Sequence, residues 1–91
     1  MSERQRVNVK KLTLYSRVGC HLCEVMHDEI LKDRGQYDFT LDVVDIDRDP
    51  KLREEYNWDV PVLLVDGEKI AKYRLDEAML LRRLDGSRKT S

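Results

Sequence analysis

Two cysteines are the whole thiol complement of this chain, and they stand two residues apart in Gly19-Cys20-His21-Leu22-Cys23. Thiols at that spacing can form a reversible disulfide or supply two metal ligands. As a structural staple the pair would be weak, because so small a loop removes little unfolded-state entropy. The run before the pair, Leu12-Thr13-Leu14-Tyr15-Ser16, reads as a strand, and the run after it reads as a helix. A Cys-x-x-Cys at a strand-to-helix junction points to thiol–disulfide exchange.

The helix position assigns different roles to the two sulfurs. Cys20 falls at the helix N-terminus, where unpaired N–H groups and the helix dipole favour thiolate. Cys23 lies one turn inside and keeps the higher pKa. Cys20 is therefore the expected nucleophile and Cys23 the resolving thiol. Lowering a thiol pKa from about 8.5 to about 7 raises the thiolate fraction at pH 7 roughly 16-fold. Reduced nucleophilicity takes back roughly five-fold, so the gain in attack is only about three-fold. The larger benefit is that a low-pKa Cys20 leaves readily when Cys23 attacks the mixed disulfide.

A strand, a helix and a second strand must hold the pair. Residues 11–16 alternate, with Leu12 and Leu14 opposite Thr13 and Tyr15. Gly19 supplies the turn before a helix expected from Cys20 to Arg34, with Gly35 at its C′ position. Leu22, Val25, Met26 and Ile30 form its apolar stripe. Residues 39–46 alternate again as a second strand, making a βαβ unit with parallel strands. Asp49 caps a short helix beginning at Pro50. Val60-Pro61-Val62-Leu63-Leu64-Val65 is the most apolar segment and a central strand starting at Pro61. Asp66-Gly67 signals a type I′ hairpin, with residues 68–73 returning antiparallel. Asp76 caps the last helix, stapled by Leu75 and Leu80. The expected fold is α/β, β-α-β-α-β-β-α: a four-stranded mixed sheet flanked by three helices. It forms a single domain over residues 1–91, with its core at about 11–84, a polar arm at 1–10 and a frayed polar tail at 85–91.

Bulk charge narrows the partners. Seventeen basic residues face eighteen acidic ones, for a net charge of −1, which suggests neither nucleic acid nor an anionic membrane. No apolar run approaches the roughly 18 residues of a membrane helix. The polar N-terminus lacks the apolar core of a secretory signal. The expected compartment is the cytoplasm, where structural disulfides are rare, and the expected state is a monomer.

Tyr15-Ser16-Arg17-Val18-Gly19-Cys20-His21-Leu22-Cys23, the Asp-rich strand Val43-Val44-Asp45-Ile46-Asp47, and Val60-Pro61 before a hairpin together resemble a glutaredoxin-like protein of the thioredoxin superfamily. The likeness spans about residues 11–84. It is greatest to small bacterial-type members with a Gly-Cys-His-Leu-Cys motif. The resemblance implies a thioredoxin-like fold, a thiol–disulfide oxidoreductase with Cys20 as nucleophile and Cys23 as resolver, and a cis Val60-Pro61 bond. Local sequence alone leaves cis and trans open there. A cis bond would leave the Val60 backbone free to pair with an extended substrate, making Val60 and Pro61 substrate-binding residues. Arg17 stands where glutaredoxins place a basic residue for the glutathione carboxylate.

The chain departs from that pattern in three places. His21-Leu22 replaces Pro-Tyr between the cysteines, and Asp59 replaces the usual Thr before Val-Pro. The Gly-Gly pair that admits glutathione is absent from Ala71-Lys72-Tyr73-Arg74-Leu75-Asp76. Glutathione as co-substrate thus lacks its usual support, and no resident cofactor is expected. The expected partner is a disulfide-containing protein or a small thiol. His21, Trp58 and Asp59 are candidate modulators. His27 falls on the helical stripe of both cysteines, yet three ligands do not close a zinc site and no metal is expected. Two other readings are a zinc or iron–sulfur module and a non-catalytic docking domain.

Overall fold

Seven regular elements succeed one another in the computed structural model, which describes residues 9–88. They are β1 (Lys10–Ser16), α1 (His21–Leu31), β2 (Phe39–Asp45), α2 (Pro50–Tyr56), β3 (Val62–Val65), β4 (Glu68–Lys72) and α3 (Glu77–Leu84). Single 3-10 turns occupy Lys32–Gly35, Ile46–Arg48 and Asp85–Ser87. The sheet order is β2-β1-β3-β4. β1 runs parallel to β2 and antiparallel to β3, so the sheet is mixed as expected.

Alternation in β1 and β3 builds two cores on opposite faces. Leu12, Leu14, Leu63 and Val65 join Met26 and Ile30 of α1 and Leu80 and Leu84 of α3. Val62, Ile46 and Tyr56 form the other, smaller core under α2, with Tyr15 stacked on Tyr56 at a centroid distance of 4.7 Å. The Asp66-Gly67 turn has positive φ at both residues, +51° and +87°, as a type I′ hairpin requires. Asp49 and Asp76 cap α2 and α3 by accepting the Lys51 and Met79 N–H groups.

Several boundaries differ from the sequence reading. α1 stops at Leu31, and the chain tightens into a 3-10 turn through Gly35, which has no left-handed φ. The Asp33 carbonyl there accepts both the Gln36 and Tyr37 N–H groups, and Tyr37 turns into the core. The buried stripe of α1 is Cys23, Met26 and Ile30, while Leu22 and Val25 are exposed on its flank. β3 starts at Val62, and β4 ends at Lys72 because Tyr73 has φ +71°. The polar tail is anchored at its start: Ser87 is fully buried, its Oγ donates to the Leu84 carbonyl at 2.8 Å, and its own carbonyl accepts the Asp38 N–H at 2.8 Å. A short polar side chain is tolerated here because both of these groups are paired. Most of the arm (1–8) and residues 89–91 lie outside the described residues.

At the start of α3 the carboxyl of Glu77, an exposed residue, is held above its ordinary pKa by partial desolvation, then by the charge of Asp33, a hydrogen bond to Asp33, and Glu29; Lys32 opposes the shift. One Asp33 carboxylate oxygen is buried without a hydrogen-bond partner. A raised folded-state pKa means the folded protein holds the proton longer than the unfolded chain. Stability from this group is therefore present at low pH and falls as pH rises through the raised pKa. Glu77→Gln is expected to flatten that part of the stability–pH profile and to stabilise the protein modestly at neutral pH. Urea denaturation at several pH values checks this.

Candidate active site

The register of the sheet decides what lies together. Tyr15 of β1 pairs with Val62 of β3. The cysteine loop thus leaves β1 at the same end of the sheet at which the Val60-Pro61 segment enters β3. Gly19, at φ +82°, makes the turn into α1, and the Cys20 N–H closes it on the Arg17 carbonyl at 3.2 Å.

Cys20 is the N-cap of α1. Its Sγ accepts the Cys23 N–H at 3.2 Å, the contact that an oxygen makes at an ordinary N-cap. Cys20 and Cys23 are joined by a disulfide, with Cα atoms 5.2 Å apart. Cys23 is 3% exposed and Cys20 is half-buried, so only the N-terminal sulfur stands within reach of a partner. A groove of about 600 Å³ opens beside the pair, between α1 and the edge strand β2. Leu14 and Val43 line its sheet side, Glu24, His27 and Asp28 come from α1, and both cysteines contribute. Among the described residues no three His, Cys, Asp or Glu side chains converge on a point that could hold a metal ion.

Arg17 is committed elsewhere. Its Nε and one terminal nitrogen donate to the two Asp47 carboxylate oxygens at 3.0 and 2.6 Å. It also donates to the Asn57 carbonyl at 2.9 Å and to Asn57 Oδ1 at 3.1 Å. The hydrogen bond from Arg17, against partial desolvation, holds the Asp47 carboxyl below its ordinary pKa. The guanidinium thereby ties the cysteine loop to the ends of β2 and α2.

The Val60–Pro61 peptide is cis. Pro61 is buried, and Val60 packs against the core beneath α2. Among the described residues the Val60 N–H and C=O take part in no backbone hydrogen bond. Trp58, 84% exposed, and Asp59 precede them. His21 is exposed on the first turn of α1, and His27 Nδ1 lies 3.9 Å from Asp28. None of His21, Trp58, Asp59, Val60 and Pro61 lines the groove itself.

Sequence reasoning passed over Asp47 and Asn57 as partners of Arg17, and over Tyr73. The last takes a left-handed backbone at φ +71°. A bulky residue at positive φ costs on the order of 1–3 kcal/mol and persists only where its surroundings hold it.

The chain matches the family model for a glutaredoxin-like domain (DUF836) over residues 11–85. It belongs to the glutaredoxin-like family. A glutaredoxin-like protein of Dictyostelium discoideum is 31% identical over 81 residues, covering 80% of this chain and 75% of that relative. The solution structure of protein Ne2328 from Nitrosomonas europaea is 34% identical, with a TM-score of 0.74 over 87% of this chain and 95% of that one. A thioredoxin from Halobacterium salinarum, at 21% identity and a TM-score of 0.63, covers 92% of this chain and 79% of its own, and shows the shared fold alone. The glutaredoxin-like chain therefore has a thioredoxin fold with a Cys20–Cys23 pair at disulfide distance.

Proposed function

We propose that this protein is a thiol–disulfide oxidoreductase that reduces protein disulfides or glutathione mixed disulfides. The observation that carries the reading is the asymmetry of the pair. Cys20 caps α1, with its sulfur on a backbone N–H, while Cys23 is buried one turn behind at bonding distance. In the reduced protein the Cys23 N–H and the helix dipole stabilise a Cys20 thiolate.

That thiolate attacks one sulfur of a substrate disulfide. A bond forms between Cys20 and that sulfur, and the second substrate sulfur departs as thiolate and takes up a proton. Cys23 then loses its proton and attacks Cys20 Sγ. The Cys20–Cys23 disulfide forms and the remaining substrate thiol is released. Two electrons have passed from the dithiol to the substrate, and an external thiol reductant must return them. The electrons reside in the sulfurs, so the cycle uses no resident cofactor. Such a cycle suits a reducing compartment such as the cytoplasm.

Around the pair, the unpaired Val60 N–H and C=O support a role in pairing with the substrate backbone. The four hydrogen bonds of Arg17 support a positioning role for that residue in place of an anion clamp. The test is a redox titration in glutathione buffers, acid-quenched and read by mass. A reversible two-electron transition between dithiol and internal disulfide is the expected result. A protein that stays reduced throughout, or that purifies with stoichiometric metal, would sink the proposal.

A further inference from the structure

Tyr73 touches the segment Trp58-Asp59-Val60-Pro61 at three points. Its N–H donates to the Pro61 carbonyl at 2.8 Å. Its phenol donates to the Trp58 carbonyl at 3.0 Å and to Asp59 Oδ1 at 2.8 Å, one proton shared between two acceptors. Lys72 adds its Nζ at 3.7 Å from the same Asp59 oxygen and 5.2 Å from the centre of the Tyr73 ring. Tyr73 does this from a backbone at φ +71°, where side chains other than glycine are disfavoured.

The effect on the loop can be counted donor by donor. Tyr73 occupies the Trp58 and Pro61 carbonyls. The Asp59 N–H donates to the Tyr56 carbonyl at 2.9 Å, and Pro61 has no N–H to offer. The Trp58 N–H and the Asp59 C=O also stay outside these bonds, but Val60 is the one residue of the loop that presents both its N–H and its C=O. One residue offering both groups is the unit with which an extended chain pairs antiparallel. Tyr73 also borders a cleft of about 150 Å³ with Leu22, one of the two residues between the cysteines, and with Val25. Tyr73 therefore bonds the Trp58–Pro61 loop and also borders the cysteine helix α1.

We infer that Tyr73 is a positioning residue: its phenol holds the Trp58–Pro61 loop so that Val60 pairs with the extended backbone of a polypeptide disulfide. This rests on the thiol–disulfide reading and names its substrate class. A small disulfide without flanking amides draws nothing from the arrangement.

Tyr73→Phe removes the O–H and keeps the ring and the backbone bond to Pro61. With a cystine-bridged peptide as substrate, the variant is expected to raise KM about 5–10-fold and leave kcat within about two-fold, the loss of one oriented hydrogen bond. With bis(2-hydroxyethyl) disulfide, kcat/KM stays unchanged. Equal losses on both substrates, or no change on either, would overturn the inference. Trp58 is the single tryptophan, so its fluorescence anisotropy reports this loop without any turnover. It is expected to fall in Tyr73→Phe, and an unchanged value would also overturn the inference. If the unmodified protein turns over neither disulfide, the exchange reading fails, and the anisotropy still decides whether Tyr73 holds the loop.

Discussion

Cys23→Ser protein mixed with a disulfide substrate is expected to accumulate one mixed disulfide, on Cys20, and to stop there. The first attack needs only the Cys20 thiolate and the groups that stabilise it. Those groups belong to the backbone: the Cys23 N–H at 3.2 Å from Cys20 Sγ and the free end of α1. Serine at position 23 keeps that N–H, so capture persists. The second attack needs a sulfur at position 23, which serine lacks, so dithiol-dependent turnover falls to background. Cys20→Ser is expected to show neither capture nor turnover, since the remaining thiol is 3% exposed. Mass spectrometry of acid-quenched mixtures reads both variants directly. An adduct on Cys23 in the Cys20→Ser protein would reverse the assignment of the two roles. Unaltered turnover in Cys23→Ser would leave the second thiol without a part in the cycle.

Leu14→Ala is expected to destabilise the protein by roughly 2–5 kcal/mol, the range for a buried leucine whose neighbours cannot fully collapse into the space. Leu14 is fully buried on β1. β1 is paired on both sides, with Val43 of β2 and Leu63 of β3 opposite this residue. Hydrogen-bonded strands on either side limit relaxation, which places the loss in the upper part of the range. In a chain of this size each kcal/mol moves Tm by about 4–8 °C, so melting should shift by tens of degrees or folding should fail. Leu14 also lies close before Arg17 in the chain and lines the groove beside the disulfide. Where the variant folds, capture by Cys20 should persist per folded molecule, because the thiolate is stabilised by α1 itself. Chemical denaturation beside the adduct assay separates the two. A loss below about 1 kcal/mol would mean that the core closes over the missing side chain.

Periodicity was enough to read most of the framework. The two-residue alternation in β1 and β2, the continuous apolar run of β3, the Asp49-Pro50 and Asp76 helix starts, and the Asp66-Gly67 hairpin are local codes. Each acts over a few residues, where backbone sterics and capping decide the outcome. The same locality made the cysteine pair legible, since a helix start and a three-residue spacing suffice to set the two sulfurs together. The end of α1 was not local. It depends on Tyr37 turning into the core and on Asp33 receiving two N–H groups across the turn. Ser87 likewise looks like tail chemistry until the Asp38 N–H, from the other half of the chain, meets its carbonyl.

The sequence by itself therefore determined the element order, the sheet-forming faces and the Cys20–Cys23 pair, because these depend on short-range spacing. Only the tertiary structure decided what surrounds the pair. The Arg17 guanidinium bonds Asp47 and Asn57, 30 and 40 residues away, and so holds the loop together. Tyr73 bonds Trp58 and Asp59 from 15 and 14 residues away, and takes a left-handed backbone. Hydrogen bonds between loops arise from sheet register, and no run of neighbouring residues encodes which charged or aromatic side chain will meet which carbonyl.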